Sequence, residues 1–204
     1  MTDAEFFKKN KYVCVRGALC KEAAEIAGNS LLVDEAIGSG NTVDQAQVVG
    51  ATSFYQNPMC EAILLQMRRT IEDATGLRLV PTYAFARVYR WGDDLKKHKD
   101  RPACEISATL TLNFKSKELW PIWVKTVEGE DHPVKLDIGD LMIYRGCEVE
   151  HWREPLVDGI WMQVFIHYVD KQGPYLEHEF DKKRYKIPFY DFIDKYLVTH
   201  EGEK

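Results

Sequence analysis

The chain has 204 residues, 45% of them hydrophobic and 29% charged, and a net charge of −5. This length fits a single domain, residues 1–204, with enough chain to bury a sizeable core. The negative charge argues against a general nucleic-acid binder, and no apolar run approaches the length of a membrane span.

The five cysteines are scattered and form no Cys-x-x-Cys pair, which argues against a zinc ribbon and favours reduced thiols. The N-terminal residues contain no apolar stretch of the signal-peptide type, so we expect a cytoplasmic protein. Nothing in the sequence sets the oligomeric state.

The first third of the chain has a mixed pattern. Residues 11–19 are rich in β-formers, and residues 20–36 place Ala, Ile and Leu on one helical face. Asn57 and Pro58 suit the start of a helix that runs to about residue 74, and Gly76 suits its end. We expect residues 1–79 to form a strand and helices that support the rest of the domain.

After Gly76 the sequence becomes a series of short β-like runs separated by Gly, Pro, Asp and Lys. Many short strands at close spacing are typical of a sandwich or barrel. The sequence therefore predicts a mainly β protein with flanking helices (α+β), whose core at residues 80–170 is a jelly roll. Residues 171–204 are expected to form a C-terminal arm that packs back on this core. The predicted strands are residues 82–90, 105–114, 120–127, 133–136, 140–145 and 160–169.

Two histidines and an aspartate give the strongest chemical signal. His98 and Asp100 stand two residues apart, so on a strand they would point to the same side, and His151 would join them from a neighbouring strand. Two imidazoles and one carboxylate can hold a metal ion on one face and leave other positions open. Non-haem Fe(II) oxygenases need this donor set.

The flanking residues strengthen this prediction. Tyr89 and Gly92 precede His98-Lys99-Asp100, Leu112-Asn113 and Gly139-Asp140 follow, and then come His151 and a last β-run. This order resembles the prolyl-4-hydroxylase-like branch of the Fe(II)/2-oxoglutarate-dependent dioxygenases, over about residues 80–170. The segments HKDRPACEIS and HWREP are similar to small phage and bacterial members, in which case the cytoplasm would be that of the host.

The resemblance implies a cupin-like double-stranded β-helix and an enzyme. It implies Fe(II) bound by His98, Asp100 and His151, with 2-oxoglutarate as co-substrate, O₂ as oxidant and ascorbate as a supporting reductant. The implied reaction hydroxylates an aliphatic C–H bond, such as that of a prolyl or another amino-acid side chain, and releases succinate and CO₂. The substrate would be a small molecule or a peptide, with no nucleic acid or membrane as partner.

The chain departs from the family at the position that normally holds the far carboxylate of 2-oxoglutarate. Nine and ten residues after His151 stand Ile160 and Trp161, which cannot pair with it. Arg153 is the expected replacement, because strand alternation points it to the side of His151 and a guanidinium can grip a carboxylate with two hydrogen bonds. The alternative is a surface arginine paired with Glu150 or Glu154.

Three further residues are candidate contacts for the co-substrate. Tyr89 matches the family tyrosine that hydrogen-bonds 2-oxoglutarate. Gln163 shares a face with Trp161 and His167 and is expected to line the pocket. Arg101 follows the His-x-Asp motif directly, although alternation points it away from Asp100.

Two other functions remain open at this point. A cupin-like oxygenase could use the same triad without 2-oxoglutarate, and the missing family cation supports it. A jelly-roll binding protein could use the pocket for recognition alone, although it would have no chemical need for all three ligands.

Overall fold

The structure is a computed structural model that describes residues 1–40, 48 and 50–182. Ten strands and three α-helices lie in this part of the chain. The helices are α1 (Asp3–Asn10), α2 (Lys21–Ala36) and α3 (Pro58–Thr75). The strands are β1 (Tyr12–Val15), β2 (Thr52–Tyr55), β3 (Leu79–Arg90), β4 (Leu95–His98), β5 (Ile106–Lys115), β6 (Ile122–Lys125), β7 (Asp131–Val134), β8 (Leu141–Arg145), β9 (His151–Arg153) and β10 (Ile160–Asp170).

The helix ends follow from local hydrogen bonding. Asn57 begins α3 because its side chain accepts from the N–H groups of Met59 and Cys60, which have no partner inside the helix. Gly76 ends α3 with a φ of 72°, a left-handed conformation that favours glycine. The predicted α2 and α3 are confirmed to within a residue or two.

The strands form two antiparallel sheets. The larger has the order β1-β8-β5-β10-β3-β2 and the smaller has the order β4-β9-β6-β7. The predicted strands from residue 82 onward are all present, with shifted ends. The mainly β architecture with flanking helices is therefore confirmed. None of the described helices is long and apolar enough to cross a membrane.

The two faces of the large sheet have different partners. Alternate residues of β3 and β10, such as Ala86 and Val164, pack with Leu64 and Ile71 of α3 in the main apolar core. The residues between them, such as Phe85 and Phe165, face the space between the sheets. This alternation leaves one face of the large sheet free to build a cavity.

Two elements of the structure were not predicted from the sequence, and one expected element lies mostly outside the described residues. The N-terminal helix α1 was not predicted, although Thr2 and Glu5 form a capping box at its start. Strand β2 was also not predicted. The expected C-terminal arm falls mostly on residues 183–204, outside the described residues.

Candidate active site

The three predicted metal ligands meet at one end of the small sheet. β4 and β9 are antiparallel neighbours, and His98 lies opposite His151 with the two ring centroids 4.3 Å apart. The predicted pairing of their strands is confirmed. The prediction that Asp100 shares a strand with His98 is wrong, because β4 ends at His98. Asp100 is instead held by its backbone N–H, which donates to the carbonyl of Gly146 at 2.9 Å.

The ligand atoms converge on one point. Oδ1 of Asp100 lies 3.5 Å from Nε2 of His98 and 3.7 Å from Nε2 of His151. Each Nδ1 lies beside a backbone carbonyl, that of Lys96 for His98 (2.7 Å) and that of Val149 for His151 (3.0 Å). Donation from Nδ1–H to these carbonyls leaves each Nε2 unprotonated and able to bind a metal ion, and the hydroxyl of Tyr144 lies 3.4 Å from Nε2 of His151.

The charge states suit metal binding. Burial lowers the pKa of His151, which keeps this imidazole in the neutral form that coordinates metals. Burial opposes ionisation of Asp100, but the adjacent imidazole of His98, the imidazoles of His151 and His167 and the hydrogen bond from Ser107 hold its pKa well below the ordinary value. The site therefore presents the ionised carboxylate of Asp100 and the neutral imidazole of His151.

The second carboxylate oxygen of Asp100, Oδ2, is held by a hydrogen-bond chain through Ser107 and His167. Oγ of Ser107 donates to Oδ2 at 2.7 Å and lies 2.9 Å from Nδ1 of His167. Burial lowers the pKa of His167 to about 4, so this imidazole is neutral. Because Ser107 donates its hydroxyl proton to Asp100, Nδ1 of His167 is assigned as the donor to Ser107. Oδ1 remains the oxygen that faces the two histidines.

The triad opens into a cavity of about 500 Å³ between the sheets. This volume lies in the range of small-molecule sites. Aromatic side chains and three basic side chains share its wall with the triad. The described residues that line it are Tyr55, Tyr83, Phe85, Arg87, Leu95, His98, Lys99, Asp100, Arg101, Cys104, Tyr144, His151, Phe165 and His167.

Arg153 is buried but is not among the residues that line this cavity; it borders a neighbouring groove with Leu95, Trp123 and Trp152. Its side chain is among the largest that are fully buried, and its guanidinium stacks 4.5 Å from the ring centroid of Trp120. Nη1 donates to the carbonyl of Trp120 at 2.6 Å, whereas Nε and Nη2 have no partner among the described residues. Burial lowers the pKa of Arg153 to about 10. The alternative of a surface arginine is wrong.

The predicted contacts Tyr89 and Gln163 are both buried. Tyr89 is fully buried beside Trp120, with ring centroids 5.0 Å apart, and is not among the residues that line the cavity. Gln163 also faces inward, but its amide is engaged by Trp161 (2.8 Å), Thr111 (3.2 Å) and Thr109 (2.6 Å). The prediction that Gln163 lines the pocket is therefore wrong, because its amide is held by neighbouring side chains and it is not among the residues that line the cavity.

Two arginines lie closer to the triad's cavity than Arg153 does. Arg101 lines the mouth, although alternation predicts that it points away, and Nη1 pairs with Asp181 at 3.0 Å. Arg87 was missed in the sequence. It stands two residues before Tyr89 on β3, so strand alternation places both on the inner face and could have found it.

Comparison with solved structures identifies the fold. The chain is similar to a prolyl-4-hydroxylase from Pseudomonas putida (TM-score 0.64, 17% identity), covering 80% of this chain and 96% of that one. It is also similar to the epimerase SnoN of nogalamycin biosynthesis in complex with Fe3+ and alpha ketoglutarate (TM-score 0.69, 12% identity, 82% of each chain).

A third likeness is to a prolyl hydroxylase from Trichoplax adhaerens in complex with a hypoxia inducible factor peptide (TM-score 0.67, 13% identity), over 84% of this chain and 89% of that one. No protein-family model and no curated protein sequence matches the chain. These structures confirm the predicted jelly roll, in the form found in prolyl-4-hydroxylase and related 2-oxoglutarate oxygenases.

Proposed function

We propose that this chain is an Fe(II)- and 2-oxoglutarate-dependent dioxygenase that hydroxylates an aliphatic C–H bond and releases succinate and CO₂. The observation that carries the proposal is the convergence of His98, Asp100 and His151, whose ligand atoms lie within 4.8 Å of one another at a cavity of this fold. Two imidazoles and one carboxylate fit ferrous iron and leave positions for co-substrate and O₂.

Arg153 supports the use of 2-oxoglutarate. A buried guanidinium without a carboxylate partner is costly, so its two unpartnered nitrogen atoms favour an anionic ligand beside it. We assign the far carboxylate of 2-oxoglutarate to Arg153, with the hydroxyl of Tyr89 as a further contact. The alternative of an oxygenase without 2-oxoglutarate relied on the missing family cation, and Arg153 supplies a cation.

The protein contributes by orienting the metal ligands and the co-substrate. When bound, iron and 2-oxoglutarate supply the oxidising chemistry. Lys96 and Val149 orient the two imidazoles through backbone carbonyls, and Ser107 holds one oxygen of Asp100 so that the other faces the metal position. Arg153, Tyr89, Trp120 and Trp161 are buried beside one another outside the cavity lining, in a water-poor region where a carboxylate-guanidinium pair would be strong.

The test measures binding before turnover. Purified protein is titrated with Fe(II) and then 2-oxoglutarate without oxygen, and succinate formation is followed in air with ascorbate across a panel of peptides, amino acids and small acids. We expect 2-oxoglutarate binding that depends on the metal, and succinate formation with at least one panel member. A protein that neither binds 2-oxoglutarate nor forms succinate would refute the proposal.

The role of Arg153 is tested separately. Arg153→Met keeps the apolar contacts of the side chain and removes its charge, so we expect 2-oxoglutarate affinity to fall about 100-fold, the value of a strong charge-assisted pair. The matched control is Arg16→Met, on the surface beside Asp140. Unchanged affinity in Arg153→Met, with metal binding intact, would remove Arg153 as the anchor and leave the rest of the proposal standing.

A further inference from the structure

Three histidines are among the described residues that line the cavity, and each imidazole has two ring nitrogen atoms. In His98 and His151, Nε2 faces the metal position and Nδ1 lies beside a backbone carbonyl. In His167, Nδ1 lies 2.9 Å from the hydroxyl of Ser107. The remaining nitrogen atom of the set is Nε2 of His167, which forms no hydrogen bond with another described residue. The metal site does not use it.

The hydrogen bonds of Ser107 determine what this nitrogen atom can do. A serine hydroxyl has one proton, and Ser107 donates it to the carboxylate of Asp100 at 2.7 Å rather than to the carbonyl of Cys104 at 3.1 Å. Nδ1 of His167 is therefore the donor to the serine oxygen. Burial lowers the pKa of His167, so the neutral ring carries its single N–H proton at Nδ1. Nε2 is then unprotonated and can only accept a hydrogen bond.

Strand β10 holds the His167 ring against the cavity. His167 lies opposite Ser107 of β5 and Tyr83 of β3, and alternation places it on the same face as Phe165. His167 and Phe165 both line the cavity. Nε2 of His167 is not among the described buried side-chain atoms that lack a partner. Its lone pair is therefore accessible from the cavity.

The surroundings of Nε2 combine aromatic rings with the metal position. The ring centroid of Tyr83 lies 4.6 Å from that of His167, and those of Phe85 and Phe165 lie 6.3 Å apart. A nitrogen atom of His167 and a carboxylate oxygen atom of Asp100 lie within 4.8 Å of each other. A molecule that donates to Nε2 would therefore lie against aromatic rings and close to the metal position.

We propose that Nε2 of His167 is a specificity-determining contact that accepts a hydrogen bond from an O–H or N–H group of the substrate. The substrate would carry this donor on an apolar body, close to the C–H bond that is oxidised. The proposal rests on the proposed dioxygenase function and specifies its substrate class. A substrate without such a donor would cover Nε2 and leave it unpaired, and a site built around a hydrogen bond discriminates against such a molecule.

The experiment compares probes that differ in one hydrogen-bond donor. The full chain is loaded with Zn(II), which has no redox chemistry, and affinities are measured by ligand-observed NMR with and without 2-oxoglutarate. The probe pairs are 2-phenylethanol against (2-fluoroethyl)benzene, and N-benzylacetamide against benzyl acetate. We expect the donor to bind about three- to tenfold more tightly in at least one pair, the value of one neutral hydrogen bond. Equal affinities within both pairs would overturn the proposal, and the two pairs separate O–H from N–H recognition.

Two variants separate the two nitrogen atoms of His167. The amide of Asn in His167→Asn can replace Nδ1–H as the donor to Ser107 but leaves no acceptor at the position of Nε2. We expect this variant to lose the preference for the donor probe and to bind Zn(II) as wild type does. The longer His167→Gln can place its amide oxygen at the position of Nε2 and loses the donor to Ser107. We expect it to keep the preference and to bind Zn(II) more weakly.

The control is His132→Asn, at an exposed position of β7 outside the cavity lining, which should keep both properties. A donor preference in His167→Asn equal to that of wild type would overturn the proposal, because another group would then accept the hydrogen bond. So would loss of the preference in both His167 variants together with loss of Zn(II) binding, since the ring would then act only by supporting Asp100. Binding of 2-oxoglutarate is measured separately without a probe, so a failure of the dioxygenase function is distinct from equal binding of the paired probes.

Discussion

Ser107 donates a hydrogen bond to Oδ2 of Asp100 at 2.7 Å, from a strand that begins six residues after that aspartate. The serine is fully buried, and His167 of the neighbouring strand β10 lies 2.9 Å from its hydroxyl. The hydroxyl therefore fixes which carboxylate oxygen faces His98 and His151. An outer contact of this kind tunes a metal ligand through its orientation.

Ser107→Ala is expected to weaken metal binding by about tenfold, because loss of an outer hydrogen bond typically costs 10- to 100-fold in metal affinity. Co(II) titration of folded protein, followed by its visible absorption, measures the change. The control is Ser116→Ala, whose hydroxyl contacts Asp158 at 2.6 Å, away from the site. Equal Co(II) affinities for wild type and Ser107→Ala would show that Asp100 needs no such support.

Gly146 is expected to tolerate no side chain. A Cβ there would overlap the carbonyl oxygen of Cys104 and lie 2.5 Å from Oδ2 of Asp100. Gly146→Ala should therefore displace the carboxylate and abolish tight metal binding, in a protein whose circular dichroism spectrum is unchanged. Gly173→Ala is the control, since its Cβ would meet Asp170 at 3.0 Å outside the site. Normal metal affinity in Gly146→Ala would contradict the geometry assigned to Asp100.

Asp140 connects the N-terminal strand region to the core and should make stability depend on pH. It accepts from the backbone of Gly17 and Asp137, both at 2.9 Å, and from Arg16 at 2.7 Å. Burial opposes its ionisation, but these donors outweigh burial and lower its pKa. A folded pKa below the unfolded value stabilises the protein above the unfolded pKa, and this stabilisation is lost as pH falls through the folded pKa.

Asp140→Asn should therefore lower the free energy of unfolding by about 1 kcal/mol at pH 7, and the difference should shrink below about pH 4. Urea unfolding at several pH values measures it. Asp73→Asn, on the exposed face of α3, provides the comparison. A destabilisation of the same size at pH 3 would mean that the charge of Asp140 is not its source.

Local pattern predicted much of the fold and the three residues that converge at the candidate metal site. Alternation and turn residues located the long strands, and the residue types at His98, Asp100 and His151, together with their flanking residues, predicted a metal site. The Gly139-Asp140 pair of the family resemblance has a structural role. A side chain at Gly139 would overlap the carbonyl of Leu19, and Asp140 binds Arg16 and Gly17.

The orientation of Asp100 could not be predicted in the same way. It depends on Gly146, 46 positions later, and on the pairing of β5 with β10 that brings His167 to Ser107. Strand parity failed because β4 ends before Asp100. Likewise, the mouth position of Arg101 depends on its stacking over Tyr83 and its pairing with Asp181, which are contacts distant in sequence.

Cysteine reactivity tests whether a thiol takes part in the chemistry. Cys104 lines the cavity, and its ligand atom groups with those of Asp100 and His167, so a thiol role has a geometric basis. Burial and the charge of Asp100 raise its pKa well above the ordinary value, which leaves the thiol protonated and a poor nucleophile or ligand.

We expect a disulfide reagent at pH 8 to label the exposed Cys20 first and Cys104 only on unfolding. Mass spectrometry of the labelled peptides identifies the sites, and Cys20→Ala should remove the fast phase. Fast labelling of Cys104 that added Zn(II) prevents would instead place this thiol at the metal, and the three-ligand site would then need a fourth member.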